Sequence, residues 1–287
     1  MAIAVPRHEF STANTARAVE ILSAEADETI ADLEESPGEF NNALNSAMAA
    51  AQVRCLLDPR AAKLETWEAW VAAMQVGSAM FAAATAPADA SVECRIAHKL
   101  RTVPATGPRY YTNPGNWINS YWLAIVGRDT SRMEELCNVP LELLRQPRVE
   151  FDEYVYHWVD TLQTGWLQRP GMQDKLVAAM RGTDPEQLVV GNRELTLKTL
   201  YPPINLFYRY LRQDYDVFNA ELAKALEWHK DYWTADEERA SSIEGLVALG
   251  PLAIACLAYD SGFPIEVESE YLPKHLLQRT WVGEFET

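Results

Sequence analysis

FNNALNSAMAAAQVRCLLDPRAAKLETWEAWVAAMQVGSAMFAAATAP, residues 40–87, consists of two apolar runs separated by a single Asp-Pro break. The first run predicts a helix from Phe40 to Leu57. The second predicts a helix that starts after Pro59 and continues to about Thr85, before Pro87. Both are long, rich in Ala and joined by a short connection, the pattern of antiparallel neighbours in a helical bundle. In the second run Trp67, Trp70, Val71, Met74, Met80 and Phe81 fall at helical spacing and small residues fill the other positions, which reads as a buried helix. Its charge-free part, Ala69 to Ala88, has the length of a membrane span. It is mostly Ala, however, with Gln75, Gly77 and Ser78 inside it, and is far less apolar than a Leu/Ile/Phe/Val span.

The same reading extends outward in both directions. Ser11 or Thr12 can cap a helix running to about Glu35, where Ser36, Pro37 and Gly38 break it. Residues 88–112 are less regular, and the alternation in ECRIAHKL predicts a short extended stretch. Asn113 followed by Pro114 supplies a cap and a first helical residue for WINSYWLAIV. Further helices are expected at about 130–137, 141–145, 149–168, 172–181, 193–200, 203–213, 215–234 and 250–260. The fold class is therefore all-α, a multi-helix bundle or stacked helical hairpins, with at most a short extended segment near 93–100 or 264–268. No repeat of fixed period and no Gly/Ser or Pro-rich linker divides the chain. One α-helical domain over residues 1–287 is expected, with the loop-rich stretch 87–113 as the candidate seam.

Of the 287 residues, 48% are hydrophobic and 10% aromatic, ample for a large core. The N-terminus, MAIAVPRHEFSTANTARAVE, has neither the basic n-region nor the apolar h-region of a secretory signal, so a cytoplasmic location is expected. Cys55, Cys94, Cys137 and Cys256 are scattered without a CxxC pair and read as free core residues.

A net charge of −16 argues against a nucleic-acid binder, whose affinity comes from Lys and Arg on phosphates, and favours a basic partner. The charge is uneven. Residues 20–39 hold eight acids and no base, and residues 214–287 hold fifteen acids against five bases. Between them, Arg95, Lys99, Arg101, Arg109, Arg128 and Arg132 stand against Asp129 alone over residues 95–132. Acidic ends flanking a basic middle suggest solvated faces with an internal electrostatic contact, or a partner surface.

None of the common catalytic or phosphate-binding motifs occurs: no GxxxxGK[ST], GxGxxG, GxSxG, HExxH or DDxxD. One histidine does sit among aromatic rings and acids, in ALEWHKDYWTADEERA, residues 225–240. As a helix, Phe218, Leu222, Ala225, His229, Tyr232 and Trp233 form one apolar stripe. A helical metal site would need a ligand three or four residues from His229, and those places hold Ala225, Leu226, Tyr232 and Trp233. Trp228, His229, Tyr232 and Trp233 are therefore read as a structural aromatic cluster. Asp236, Glu237 and Glu238 suit the start of the next helix, where the dipole favours negative charge. His157 shares a helix face with Glu153 and Asp160, a weaker candidate for acid/base work. In FPIEVESEYLP, residues 263–273, Phe263, Ile265 and Val267 alternate with Glu266, Glu268 and Glu270, so an extended chain presents three carboxylates on one side.

The run from Trp228, His229, Lys230, Tyr232 and Trp233 through LVALGPLAIACLAYDSGFPIEVESEYLPKHLL, residues 246–277, resembles the immunity protein 49 family of bacterial polymorphic toxin systems. The resemblance is clearest over about residues 200–280. It implies a largely α-helical, cytoplasmic protein without catalytic residues, cofactor or metal, whose partner is the effector domain of a cognate toxin. Charge then suggests a nuclease toxin, with Asp236, Glu237, Glu266, Glu268 and Glu270 as first contacts. Two other readings remain open: an all-α metal-dependent enzyme using Asp236 and Glu237 with His229 or His157, and a helical-repeat scaffold that binds peptides.

Overall fold

A computed structural model of the chain describes residues 3–10, 14–146 and 148–287. The two apolar runs form helices α2 (Phe40–Leu57) and α3 (Leu64–Thr85), with the bounds the sequence predicts at three of four ends. The break between them is built by Asp58, whose carboxylate accepts the backbone N–H of Ala62 and of Lys63, each at 2.9 Å. Almost every residue of α3 from Trp67 to Ala84 is buried, because α2 packs on one side and α4 (Pro114–Gly127) on the other. The approach of α4 depends on Gly77, where a Cβ would stand 2.5 Å from the Ser120 hydroxyl.

In chain order the remaining elements are β1 (Ile3–Ala4), α1 (Thr15–Ala31), β2 (Ser91–Ile96), β3 (Lys99–Pro104), α5 (Thr130–Cys137), α6 (Leu141–Arg145), α7 (Glu153–Trp166), α8 (Met172–Gly182), α9 (Arg193–Leu195), α10 (Tyr201–Arg212), α11 (Tyr215–Trp233), α12 (Glu237–Ala240), α13 (Leu249–Asp260), β4 (Val267–Glu268) and α14 (Lys274–Leu277). The predicted cap at Ser11 or Thr12 lies outside the described residues. Helix α1 gives way to a 3-10 turn, Asp32–Glu34, a few residues before the Pro37–Gly38 break. Asn113 caps α4 as expected, its side chain accepting the Asn116 N–H. The helices do not stack in simple sequence order: α13 returns to pack on α4 and α10. Residues 243–260 are long and apolar enough to cross a membrane by composition alone, yet Leu252 to Cys256 are enclosed by protein.

Extended structure exceeds the sequence expectation at β1, where no strand was expected, and at the hairpin. Residues 91–104 form a complete antiparallel hairpin, Ile96 opposite Lys99, with Ala97 and His98 both left-handed in a two-residue loop. Such turns ordinarily use Asn-Gly or Gly-Gly, so Ala-His gives no local signal for one. The turn is held from outside, by the Gln75 carboxamide of α3 accepting the Ala97 N–H at 2.9 Å. The other extended segment is where it was expected: β4 pairs in parallel with β1, Ile3 beside Val267 and Ala4 beside Glu268.

Buried residues from Val5 to Leu277 form one continuous cluster, which runs beneath the hairpin at Cys94, Ile96 and Val103. All four cysteines are free and buried within it. Burial pushes the thiols of Cys55 and Cys137 up to about 12 and that of Cys256 to about 11, so these are packing groups rather than nucleophiles.

Candidate partner-binding site

Part of the basic middle of the chain is turned inward, while Lys99 and Arg109 remain exposed. Arg95 pairs with Glu286 at 3.0 Å, Arg101 with Glu34 at 3.6 Å and Arg128 with Asp260 at 3.0 Å, so three arginines of the basic stretch are spent on acids from the two acidic ends. Arg132 pairs locally with Asp129.

The acidic residues of the C-terminal third divide into two sets. Asp236 caps α12, accepting the Arg239 N–H at 2.8 Å, and its second oxygen meets the Arg239 guanidinium at 3.2 Å. Arg239 in turn reaches Glu194 at 2.9 Å and lies over the Tyr232 ring. Glu270 pairs with Arg7 at 3.4 Å. By contrast Glu237, Glu238, Glu266 and Glu268 are exposed and form no ion pair among the described residues. Alternation along β4 places them so: Phe263 and Val267 are buried while Glu266 and Glu268 face outward.

Residues 3–8 tie the two acidic stretches together. Ile3 and Val5 donate to the carbonyls of Glu266 and Glu268, the Pro6 carbonyl accepts Lys230 Nζ from α11, and His8 contacts the Tyr271 hydroxyl through Nδ1 at 2.7 Å. His229 stands behind this segment, its ring 4.9 Å from that of Tyr271 and 6.0 Å from that of Trp233. Its Nε2 donates to the Gly245 carbonyl at 3.0 Å. Burial drives its pKa down to about 4 against the opposing effect of that hydrogen bond, so the ring is neutral at pH 7. Trp228, Tyr232 and Trp233 are partly exposed around it, and Lys224 lies over the Trp228 ring. The acids flanking His157 are engaged elsewhere: Glu153 forms a two-pronged pair with Arg145, and Asp160 binds Lys175 at 2.7 Å. Among the described residues no three His, Cys, Asp or Glu side chains cluster as metal ligands would.

On the other side of His229 and Trp233 lies a cleft of about 420 Å³ that the sequence reading did not anticipate. Three helices each contribute a stripe at i, i+3, i+4 and i+7. Helix α2 supplies Asn45, Met48, Ala49 and Gln52. Helix α4 supplies Gly115, Ile118, Asn119 and Trp122, and α7, with the residue two before it, supplies Phe151, Tyr154, Val155 and Trp158. Such a stripe normally marks one helix packing on another. Here the stripes of α4 and α7 touch at Trp122 and Trp158, whose ring centroids are 6.0 Å apart, and together with the stripe of α2 they line an open space. Trp122 and Trp158 form an almost covered floor, while Phe151, Trp233 and Leu249 are partly exposed on the walls.

Two further segments close the cleft. One is the turn Ile243–Gly245, where the Gln52 carboxamide, oriented with its nitrogen toward the turn, donates to the carbonyls of Glu244 and Ile243 at 3.1 and 3.2 Å. The Glu244 carboxylate itself is exposed and unpaired, and no Lys or Arg lines the cleft among the described residues. The other is the π-helical turn Thr196–Leu200, in which Tyr201 N–H bonds the Thr196 carbonyl five residues back. Its cause is local: Pro202 and Pro203 carry no N–H, and their rings crowd the carbonyls of Lys198 and Thr199 four residues earlier. The widened turn relieves that crowding and leaves both carbonyls without an i→i+4 donor. Thr199 and Leu200 reach the cleft. Behind the turn, Asp152 accepts three backbone N–H groups from Val189, Val190 and Gly191 at 2.7 to 3.1 Å. Burial alone would raise its pKa, but those three donors hold it below the ordinary carboxylate value.

The family model for immunity protein 49 matches residues 58–276. That span takes in every wall of the cleft except α2, together with Asp236, Glu237 and Glu266 to Glu270. No curated protein and no solved structure matches the chain. With most of its length matched, the chain belongs to the immunity protein 49 family.

Proposed function

We propose that this member of the immunity protein 49 family works by binding, not by catalysis: in the cytoplasm it occupies the effector domain of a cognate polymorphic toxin and holds it inactive. The toxin we favour is a nuclease, whose substrate groove is basic because its substrate is a polyanion. The carrying observation is the asymmetry of the charges. Four arginines of the basic middle, Arg95, Arg101, Arg128 and Arg132, are engaged in pairs within the chain, while Glu237, Glu238, Glu266 and Glu268 stand exposed without an ion-pair partner among the described residues, on the two stretches joined by residues 3–8. A net charge of −16 arranged in this way steers a basic partner toward one face and speeds association at low salt. Partly exposed Tyr and Trp near that face, Tyr232 and Trp228 among them, are suited to be the anchors.

The test is genetic and direct. The effector domain encoded beside this chain is expressed alone and together with it, and cell survival is scored. Toxicity alone and survival together support the reading; death in both conditions overturns it. A purified effector domain then tells whether a nuclease activity is blocked at stoichiometric ratio.

A further inference from the structure

We propose that the cleft between α2, α4 and α7 is the socket for a long cationic side chain, arginine by preference, presented on a loop of the protein partner. The inference deepens the immunity reading and rests on it for the identity of that partner. Four observations converge. The cleft, at about 420 Å³, is within the range of sites that enclose a small group, and its surfaces are mostly apolar and aromatic. Its one charged group is an acceptor, the Glu244 carboxylate, which has no counter-ion among the described residues; the Asn45 and Asn119 carboxamide oxygens take no hydrogen bond from a described residue, and Pro203 has no N–H to give the Thr199 carbonyl. No Lys or Arg among the described residues lines the space. Finally, the partly exposed rings of Phe151 and Trp233 offer flat faces on which a guanidinium stacks.

This chemistry selects against the alternatives. A phosphate or nucleotide would meet a carboxylate and no Lys or Arg. A purely aliphatic group would leave Glu244 and the Asn side chains unpaired as the mouth closed over them. A guanidinium has an apolar stem for the walls and five donors for the acceptors, so it satisfies both. Helix α11 connects this socket to the acidic face: His229 and Trp233 wall the cleft, and the turn after Trp233 leads directly to Asp236 and Glu237. A basic surface drawn to the acids is thereby brought within one helix turn of the socket.

The experiment uses the full chain and two readouts. First, tryptophan fluorescence and indole NMR shifts are followed on titration with the peptide acetyl-Gly-Ser-Arg-Ser-Gly-amide, with its citrulline counterpart as the uncharged isostere and its Glu counterpart as the reversed charge. We expect the Arg peptide to bind at least about tenfold more tightly than the citrulline peptide. The preference should vanish in Glu244→Lys, which places a resident cation at the mouth, but survive in Glu35→Lys, an exposed site outside the cleft with the same change in net charge. Equal binding of Arg and citrulline peptides, or equal loss in both variants, overturns the socket. Second, Glu244→Lys and the rim variant Asn45→Trp, each shown to be folded by its unchanged thermal midpoint, are tested for protection against the co-expressed effector domain. Loss of protection with both, but not with Glu35→Lys, supports the inference. Full protection by both refutes it while the immunity reading stands. Failure of the unmodified chain to protect refutes that reading, and the peptide titration then decides the socket by itself.

Discussion

Arg128 and Glu244 carry opposite charges, and the fold treats them in opposite ways. The Arg128 side chain is only 7% exposed, and it meets Asp260, the carbonyls of Val126, Leu276 and Leu277, and the Cys256 sulfur, tying the end of α4 to α13 and α14. Glu244 sits in a tight turn with its carboxylate in the open and without an ion-pair partner among the described residues. The contrast teaches how this chain uses charge: the arginines drawn inward are architecture, and acids in excess are left on the outside. An acidic total of this size would repel itself if it were spread through the interior; leaving the surplus on exposed turns, one strand edge and the outer faces of helices such as α1 keeps it solvated and available.

The sharpest way to break the comparison is to remove the buried member. Arg128→Met keeps much of the volume but strands Asp260 and the three carbonyls, and removing one partner of such a network costs about 3–5 kcal/mol. Urea denaturation should show that loss with an unchanged slope. Glu244→Gln, measured alongside, should move stability by less than about 0.5 kcal/mol. Similar values for the two would mean that the inward and outward charges are not distinct classes.

Next in size is the response to acid, which separates buried polar packing from exposed charge. His229 titrates near 6.5 when unfolded and at about 4 in the fold because it is buried. Above pH 6.5 the ring is neutral in both states and contributes no pH dependence. As the pH falls from 6.5 to 4 the unfolded chain takes up a proton that the folded chain refuses, so stability declines through that window by about 3 kcal/mol, at 1.36 kcal/mol per unit. His8, held below its ordinary value by burial and by Arg7, adds to the decline in the same direction. Asp152 behaves differently: its lowered pKa adds stability at neutral pH that disappears only below the ordinary carboxylate range. A His229→Gln variant should therefore flatten the profile between pH 4 and 6.5 and leave the steeper loss below it. An unaltered profile would show that His229 is not the group responsible.

The local parts of this structure were legible in the sequence and the convergent parts were not. Apolar spacing and Pro breaks placed α2 and α3, and Asn113-Pro114 announced the start of α4, because each signal lies within a few residues of its effect. The stripe through Phe218, Leu222, Ala225 and His229 correctly put the histidine on the packed side of α11. The hairpin was half seen: its first strand alternates, but its turn is stabilised by Gln75, more than twenty residues away. The cleft was not seen at all. Its stripes on α2, α4 and α7 look like ordinary packing faces when each helix is read alone, and only the tertiary arrangement shows that they surround a space. One local trace did exist, the Tyr-Pro-Pro run at 201–203, which no regular α-helix accommodates in its interior. For the acidic residues, sequence grouped Asp236, Glu237, Glu266, Glu268 and Glu270 as equals, whereas Arg239 and Arg7 withdraw two of them into ion pairs.

That division among the acids supports the smallest and most discriminating prediction. Glu266→Lys with Glu268→Lys changes two exposed side chains that pair with no cation among the described residues, so the thermal midpoint should hardly move, the free-energy change staying within about 0.5 kcal/mol. Asp236→Asn should cost slightly more, about 0.5–1 kcal/mol, since it weakens the cap of α12 and one arm of the Arg239 network. Association with a basic effector domain should rank the other way. Reversing Glu266 and Glu268 should slow the on-rate severalfold at low ionic strength, the defect fading as salt is raised to about 0.5 M, because steering by exposed charges is screened there. Neutralising Asp236, whose charge Arg239 already offsets, should leave the on-rate nearly unchanged. Stopped-flow measurements at two salt concentrations separate these outcomes. A uniform slowing by both variants would mean that total charge matters and its placement does not; no slowing by either would move the contact surface away from β4 and α12 altogether.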